Sequence, residues 1–316
     1  DVGLPYKFIV SGSGSLELKE KIHEALVGRK RIFELNTISF EEFVNFKTNY
    51  HYKDKLLDFF AIEKDKTKEL LAEYLNFGGY PRLVSELELN EKRRILAEIY
   101  RSYLEGDISY LLRVEKTEAF IALIRVLASQ IGRPINYSEL SSTLGIALNT
   151  VKNYLWYAQK TFVIQAISPY FKNLRKEITK SPIIYFYDLG LRNYALGLFG
   201  NVIAPSELGF LFQNFIYQLL WERFRFTSAE IHFWRTKDRA EVDFIIDLGN
   251  MIVPVEVKFK TLKKPEVERS LKNFIAKYQP SQAWVVNLEF KSSAKIDKTE
   301  IRFFPFYELL SGAINF

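Results

Sequence analysis

Apolar and polar positions follow two periods along this chain. Between Phe233 and Phe259 (FWRTKDRAEVDFIIDLGNMIVPVEVKF) two apolar strands flank a turn at Leu248-Gly249-Asn250. Elsewhere apolar residues return every three to four positions. That spacing predicts helices over Ser39–Phe46, Lys55–Ala61, Thr67–Asn76, Glu91–Arg113, Thr117–Ile131, Glu207–Phe224 and Pro265–Tyr278. Ser39 with Glu42 three residues later is a capping box. Gly78-Gly79-Tyr80-Pro81 predicts a sharp turn between helices. Short apolar runs predict further strands over Lys7–Val10, Arg31–Leu35, Ala283–Leu288 and Ile301–Phe306. Helix, hairpin, helix and strand in that order at the C-terminal end predict an α/β layer around a sheet.

Both strands of the hairpin carry charge in an apolar setting. Asp243 lies within EVDFII, and Glu256 and Lys258 lie within VPVEVKF. Alternation puts Glu256, Lys258 and Lys260 on one face and Val255, Val257 and Phe259 on the other. A solvated strand face carries charge too. It has no need of a carboxylate, a tight turn, and then a carboxylate and a lysine two apart among apolar neighbours. Buried carboxylates are costly unless paired or bound to a cation. Asp243 and Glu256 across a hairpin are therefore candidate ligands for one divalent metal, because hard cations take carboxylate oxygens. Lys258 would then steady a phosphate or the attacking water.

Asp243, twelve residues, and then Glu256-Val257-Lys258 resemble the PD-(D/E)xK nuclease superfamily. The resemblance implies Asp243 and Glu256 as metal ligands, Lys258 as the catalytic lysine and Mg2+ as the ion. In that superfamily a helix ahead of the hairpin often carries a glutamate that completes the metal site. By comparison with ATPase relatives reading roughly L-F-E-N-F, the matching position here is Gln213, a neutral and weaker ligand. Glu207 and Glu222 fall on other faces of the same helix.

Near the start, FIVSGSGS, a helix, LVGRKRIFEL and ISFEEF resemble the second half of an AAA+ ATPase core. The resemblance implies Ser11 or Ser13 as the polar sensor of a γ-phosphate. It implies Arg29 as an arginine finger toward a neighbouring subunit's nucleotide, where a guanidinium fork suits developing phosphoryl charge. Read locally, Ser15 is a helix N-cap and Arg29 a surface arginine at a helix C-terminus. G-x-x-x-x-G-K-[ST] occurs nowhere, and IIYFYD (Ile183–Asp188), though Walker-B-like, lies too far downstream to serve as one. ATP is thus expected only with an upstream part. The start at Asp1, without an initiator methionine, is expected to be that of a fragment or processed product. NFGGYPRLV and YLEGDISYLL are similar to the helical lid of the same ATPase group.

Tyr137–Val163 (YSELSSTLGIALNTVKNYLWYAQKTFV) predicts helices over Ser138–Leu144 and Asn149–Thr161 around Gly145, a helix-turn-helix pattern. VIQAISPYF and IIYFYD supply strands for a wing. In a DNA reader Asn149, Thr150, Lys152 and Asn153 would open the recognition helix. Lys172, Arg175, Lys176 and Lys180 would touch backbone phosphates. A winged helix used only as a lid or protein contact has the same pattern.

Composition narrows the classes. The 316 residues contain no cysteine, which excludes disulfides, the usual zinc fingers and thiol chemistry. A hydrophobic share of 48% is ample for packed cores, and a net charge of +6 permits nucleic-acid binding without demanding it. Lys, Glu, Ile and Tyr richness suits a thermophile. No apolar run reaches the roughly 18 residues of a membrane span, so no membrane partner and a cytoplasmic location are expected.

The expected fold is α/β and multidomain. Its parts are the end of an AAA+ core (1–48), a helical lid (49–132), a winged helix-turn-helix (133–201) and a restriction-endonuclease-like domain (202–316). Taken together the chain resembles the C-terminal part of an archaeal AAA+ ATPase with a PD-(D/E)xK tail. That resemblance implies DNA as the partner, Mg2+ at the tail and a homo-oligomer through the AAA+ part. The rival expectations are a catalytically dead DNA-binding or assembly module, favoured by Gln213, and a transcription regulator acting through the helix-turn-helix.

Overall fold

A computed structural model of the chain describes residues 9, 31, 33–102, 117–171, 181–202, 204–236, 238 and 240–310. Ser11, Ser13, Arg29, Lys172, Arg175, Lys176 and Lys180 lie outside the described residues, and of the strand expected over Lys7–Val10 only Ile9 is described, in neither strand nor helix.

The first part is helical. Helix α1 (Phe40–Lys47) starts at Ser39, whose hydroxyl accepts from the Glu42 N–H at 3.2 Å while the Glu42 carboxylate accepts from the Ser39 N–H at 2.9 Å. That reciprocal pair satisfies two donors a helix start would otherwise leave open. Helices α2 (Leu56–Ile62) and α3 (Lys64–Phe77) follow. Gly78 ends α3 at φ +73°, a left-handed conformation that suits glycine, and Pro81 opens the short α4 (Pro81–Ser85). Helix α5 (Leu89–Tyr100) covers the start of the expected Glu91–Arg113 helix. The strand expected over Arg31–Leu35 is corrected: Arg31 and residues 33–36 are in neither strand nor helix, and Phe33 and Leu35 are 77% and 96% exposed. A strand exists only beside a paired strand, and none of the described strands pairs with this segment.

Helix α6 (Thr117–Ser129) buries Phe120, Leu123, Ile124 and Leu127, which share one face at helical spacing. Helices α7 (Tyr137–Leu144) and α8 (Leu148–Lys160) form a pair, with Asn136 capping α7 and Gly145 turning between them at φ +62°. Strands β1 (Ile164–Ile167) and β2 (Ile183–Phe186) then pair antiparallel, with Ile164 opposite Phe186. Helix α9 (Leu189–Ala195) follows, capped by the Asp188 carboxylate, which accepts from the Leu191 N–H at 2.8 Å.

The last part is a helix-sheet-helix sandwich. Helix α10 (Pro205–Phe224) precedes β3 (Glu230–Arg235), β4 (Glu241–Asp247) and β5 (Ile252–Val257). Helix α11 (Arg269–Tyr278), β6 (Gln282–Asn287), β7 (Ser292–Ile296) and β8 (Thr299–Pro305) complete it. The strands lie in the order β3-β4-β5-β6-β8-β7, with β5-β6 and β6-β8 parallel and the other pairs antiparallel. On one face Phe244, Val253, Val255 and Trp284 join Phe212 and Phe215 of α10. On the other, Val242, Ile245, Val285 and Phe303 join Leu271 and Phe274 of α11. β5 and β6 are buried on both faces, as parallel-paired central strands require.

One hydrophobic cluster runs from Phe40 to Leu309, through every boundary expected between parts. Polar contacts follow the same route. The Asp188 carboxylate accepts from the Gly79 N–H at 2.8 Å, Asn193 donates to Leu75 and Asn76 carbonyls, and Arg192 pairs with Glu207 of α10 at 2.6 Å. Asn214 closes two hydrogen bonds with the Phe186 backbone, at 2.8 and 2.9 Å.

Candidate functional site

Two carboxyls, those of Asp243 and Glu256, meet where β4 and β5 part. The β4–β5 ladder ends at the Phe244–Val255 pair, after which β5 continues against β6. On its other side β4 is irregular. Between the pairs His232–Ile245 and Trp234–Val242, one residue of β3, Phe233, faces two of β4, Asp243 and Phe244. This bulge breaks the strict alternation of faces: Val242 and Ile245 pack with α11, whereas Asp243 reaches α10. Bulges re-aim side chains in this way at the ends of ladders.

Asp243 consequently has one oxygen on each neighbour. Its Oδ2 accepts from the Val257 N–H at 2.7 Å, replacing a ladder bond that β5 no longer makes to β4. Its Oδ1 accepts from Nε2 of Gln213 at 2.8 Å. Glu256, 5% exposed, gives Oε1 to the Lys258 ammonium at 2.8 Å. Its Oε2 is buried and receives no donor, while the carboxyl itself contacts that of Glu268. Lys258 also pairs with Glu268 at 2.5 Å. Glu268 is the N-cap residue of α11 but makes no side-chain cap, its carboxylate being committed to Lys258.

The electrostatics follow from that geometry. Burial raises the Asp243 pKa far above the usual carboxylate range, with the Glu241 and Glu268 charges adding, against the Val257 N–H and Lys258. Burial raises Glu256 as well, and the Asp243 charge adds to it, against Lys258. Burial works to lower Lys258, but Glu256 and Glu268 outweigh it and hold the ammonium above its ordinary value. For Glu268 burial is outweighed by Lys258, and its pKa falls. Two carboxyls that burial keeps from ionising thus stand beside an ammonium held charged by Glu256 and Glu268.

The oxygen donors suit Mg2+, which takes one or two carboxylates and leaves its remaining positions to water and phosphate. Asp243 and Glu256 would hold it, Glu256 through the Oε2 that no donor reaches. No group of three acidic, histidine or cysteine side chains able to hold a metal stands among the described residues. That fits Gln213 standing beside Asp243 where a third carboxylate would complete such a set.

The structure therefore brings together Asp243, Glu256, Lys258 and Gln213. Glu268 was missed from sequence, where an acidic residue at a helix start reads as an ordinary cap. Glu207 is turned to Arg192 and is not at the site. Glu222 is pushed up to about 7 by burial, with Glu41 and Glu42 nearby. On α8, Asn149, Lys152 and Asn153 are exposed and Thr150 half-buried, with Trp156 open on the same helix at 45%. Lys152 lies over the Tyr137 ring at 5.9 Å. Trp234 packs edge-on against Phe274 at 5.2 Å, a core role.

Residues 1–44 match a family model described as an AAA domain. Residues 68–201 and 208–308 match two described as domains of unknown function, DUF8612 and DUF4143. The chain is 24% identical over 287 residues to the uncharacterized protein Rv2008c of Mycobacterium tuberculosis, covering 90% of this chain and 58% of that protein. It is 26% identical over 278 residues to the uncharacterized protein MJ1544 of Methanocaldococcus jannaschii, covering 85% and 58%. An uncharacterized Haemophilus influenzae protein is 24% identical over 299 residues, covering 93% and 68%. The chain thus spans under two thirds of the length of the mycobacterial and methanogen relatives. Its N-terminal match is to an AAA-like ATPase module, and its relatives come from bacteria as well as archaea, wider than the archaeal group expected. Among the described residues no helix is long and apolar enough to cross a membrane.

Proposed function

We propose that this chain is the distal part of an AAA-like, ATP-dependent protein whose C-terminal sheet binds and cuts nucleic acid at the Asp243–Glu256–Lys258 site. The observation that carries the proposal is the bulge-directed Asp243 meeting the buried Glu256, whose carboxyl also contacts Glu268. Buried carboxyls held this close are costly, and a shared cation offsets that cost. When bound there, Mg2+ would supply charge for a phosphodiester and a water of lowered pKa. The chain's own part is to hold the carboxylates in register and keep bulk water out. Lys258 would present its ammonium to the phosphate. In the same proposal α7, α8, β1 and β2 form a winged helix that contacts DNA through Asn149, Thr150, Lys152 and Asn153. Ser11, Ser13 and Arg29 serve an ATP site completed upstream and between subunits.

Incubation with duplex, single-stranded and branched DNA in Mg2+ or Mn2+, beside Glu256→Ala, tests the catalytic claim. Metal-dependent cutting that disappears in the variant supports it. A second reading, a non-cutting DNA-binding or assembly module, is favoured by the Gln213–Asp243 hydrogen bond and by Lys258 being taken up by two carboxylates. DNA binding with no cutting under either metal selects that second reading.

A further inference from the structure

A phosphodiester reaching this site finds the Lys258 ammonium already taken up. Lys258 is paired to Glu256 and Glu268 at 2.8 and 2.5 Å, and Arg235 is turned to Glu241 at 3.6 Å. Even with one divalent ion bound, a polyanion needs a further cation at the rim, because phosphate contacts supply most of the affinity for nucleic acid.

That cation is present on a different element. Arg133 lies in the turn between α6 and α7, and its guanidinium carbon sits 4.9 Å from the centroid of the Phe210 ring. Phe210 is three residues before Gln213 on α10, so the two share a helix face. Gly132 presses onto that face: a Cβ there would lie 2.7 Å from Gln213 Oε1 and 3.0 Å from Phe210 Cδ1. Gln213 in turn holds Asp243. The turn carrying Arg133 is therefore packed directly on the side chain that borders the carboxylates.

The turn is also tied down by hydrogen bonds and packing. Gly132 takes φ +71°, its N–H donates to Ile184 at 3.4 Å, and Ile135 donates to Pro182 at 3.0 Å. Ile131 and Ile135 on either side are 2% exposed. Arg133 itself is exposed and makes no ion pair among the described residues, whereas Lys258 is fully committed. A guanidinium stacked on an aromatic ring keeps its outer N–H fork free for two phosphate oxygens.

We propose that Arg133 is a substrate-positioning residue that grips a backbone phosphate of a nucleic-acid strand lying across the Asp243–Glu256–Lys258 site. The inference rests on the nucleic-acid reading of that site and extends it. The substrate class it implies is a polynucleotide with a phosphate beyond the one at the carboxylates, not a free mononucleotide. Because Arg133 lies four residues before the start of α7, the helix-turn-helix pair and the sheet site then share one strand.

The test is fluorescence anisotropy of a labelled DNA duplex against the 316-residue chain over a series of salt concentrations. The set comprises wild type, Arg133→Ala, Arg133→Lys and Arg94→Ala, the last removing the same charge from an exposed ion pair on α5. Arg133→Ala is expected to weaken binding roughly tenfold and to reduce the slope of log affinity against log salt by about one. Arg133→Lys should restore the slope, Arg94→Ala should match wild type, and all four should melt alike because Arg133 is exposed. A merely structural role would shift the melting temperature and leave the slope unchanged. Equal affinity and slope for Arg133→Ala and wild type overturn the inference, while metal-dependent cutting in the same preparation leaves the site assignment standing. Arg133-dependent binding without cutting under Mg2+ or Mn2+ supports the inference and removes catalysis. A wild-type chain that binds no DNA overturns both.

Discussion

Gln213 of α10 donates its amide to Oδ1 of Asp243, the bulge residue of β4, at 2.8 Å. This one contact joins the helix to the sheet at the point where two carboxyls are buried. A neutral amide satisfies the Asp243 oxygen in the metal-free chain without adding a third negative charge.

Gln213→Glu is therefore predicted to act in opposite directions on two properties. Affinity for Mn2+ should rise by about tenfold, or about 1.4 kcal/mol, as a third carboxylate joins the donors. The metal-free melting temperature at pH 8 should fall, because like charges are then buried together. Calorimetric titration and thermal melting measure the two.

Stability should fall with pH in the metal-free chain. Asp243 is raised from 3.8 to about 7 and Glu256 from 4.5 to about 8, burial being the first cause for each. A raised folded-state pKa means that the protonated form is favoured on folding. The associated stability is full below about pH 4 and is lost as pH rises through 7 and 8. Asp243→Asn with Glu256→Gln should flatten this decline without abolishing it. Asp188 at about 6 and Glu222 at about 7 titrate in the same direction and remain. Melting temperatures of both proteins from pH 5 to pH 9 check it, and Mg2+ should raise that of the wild type more at pH 8 than at pH 5.

Phe40 tests the continuity of the core. Its ring meets Phe215 of α10 at 5.2 Å, Tyr74 of α3 at 5.4 Å and Phe306 after β8 at 5.8 Å. Phe40→Ala should cost about 3–5 kcal/mol, and tryptophan fluorescence and far-UV dichroism should report one coincident transition. Two separate transitions in urea would show that the helical and sheet parts unfold independently.

Gly190 faces the end of α3 so closely that a Cβ there would run into the Phe77 carbonyl oxygen. Gly190→Ala is expected to destabilise by at least about 1–3 kcal/mol, since a packed carbonyl is not a flexible neighbour. Urea denaturation measures it. A loss no greater than that of Gly209→Ala, where a Cβ meets nothing within 4 Å, would contradict the tight joint.

What the sequence disclosed is what depends on neighbours along the chain. The capping box at Ser39, the turn at Gly145 and the hairpin around Gly249 are local signals, and each stands in the structure where its residues foretell it. Strand β7 was missed because its burial alternates only between half-buried and exposed, which leaves no apolar stripe to read. The bulge at Asp243 was hidden because it depends on pairing with β3, not on the residues of β4. Glu268 and Arg133 escaped for the same reason: they come to the site's border through Lys258 and Phe210, partners more than nine residues away in sequence. The expected boundaries between parts rested on changes of local pattern, which carry no information on whether Asn214 will bond to the Phe186 backbone.

The most direct measurement is a titration of the 316-residue chain with Mn2+ at pH 8, read by calorimetry. One ion per chain should bind in the wild type, and that binding should vanish when Asp243→Asn and Glu256→Gln are combined. No binding at all, or the same binding in the combined variant, would contradict a cation site at the parted strands.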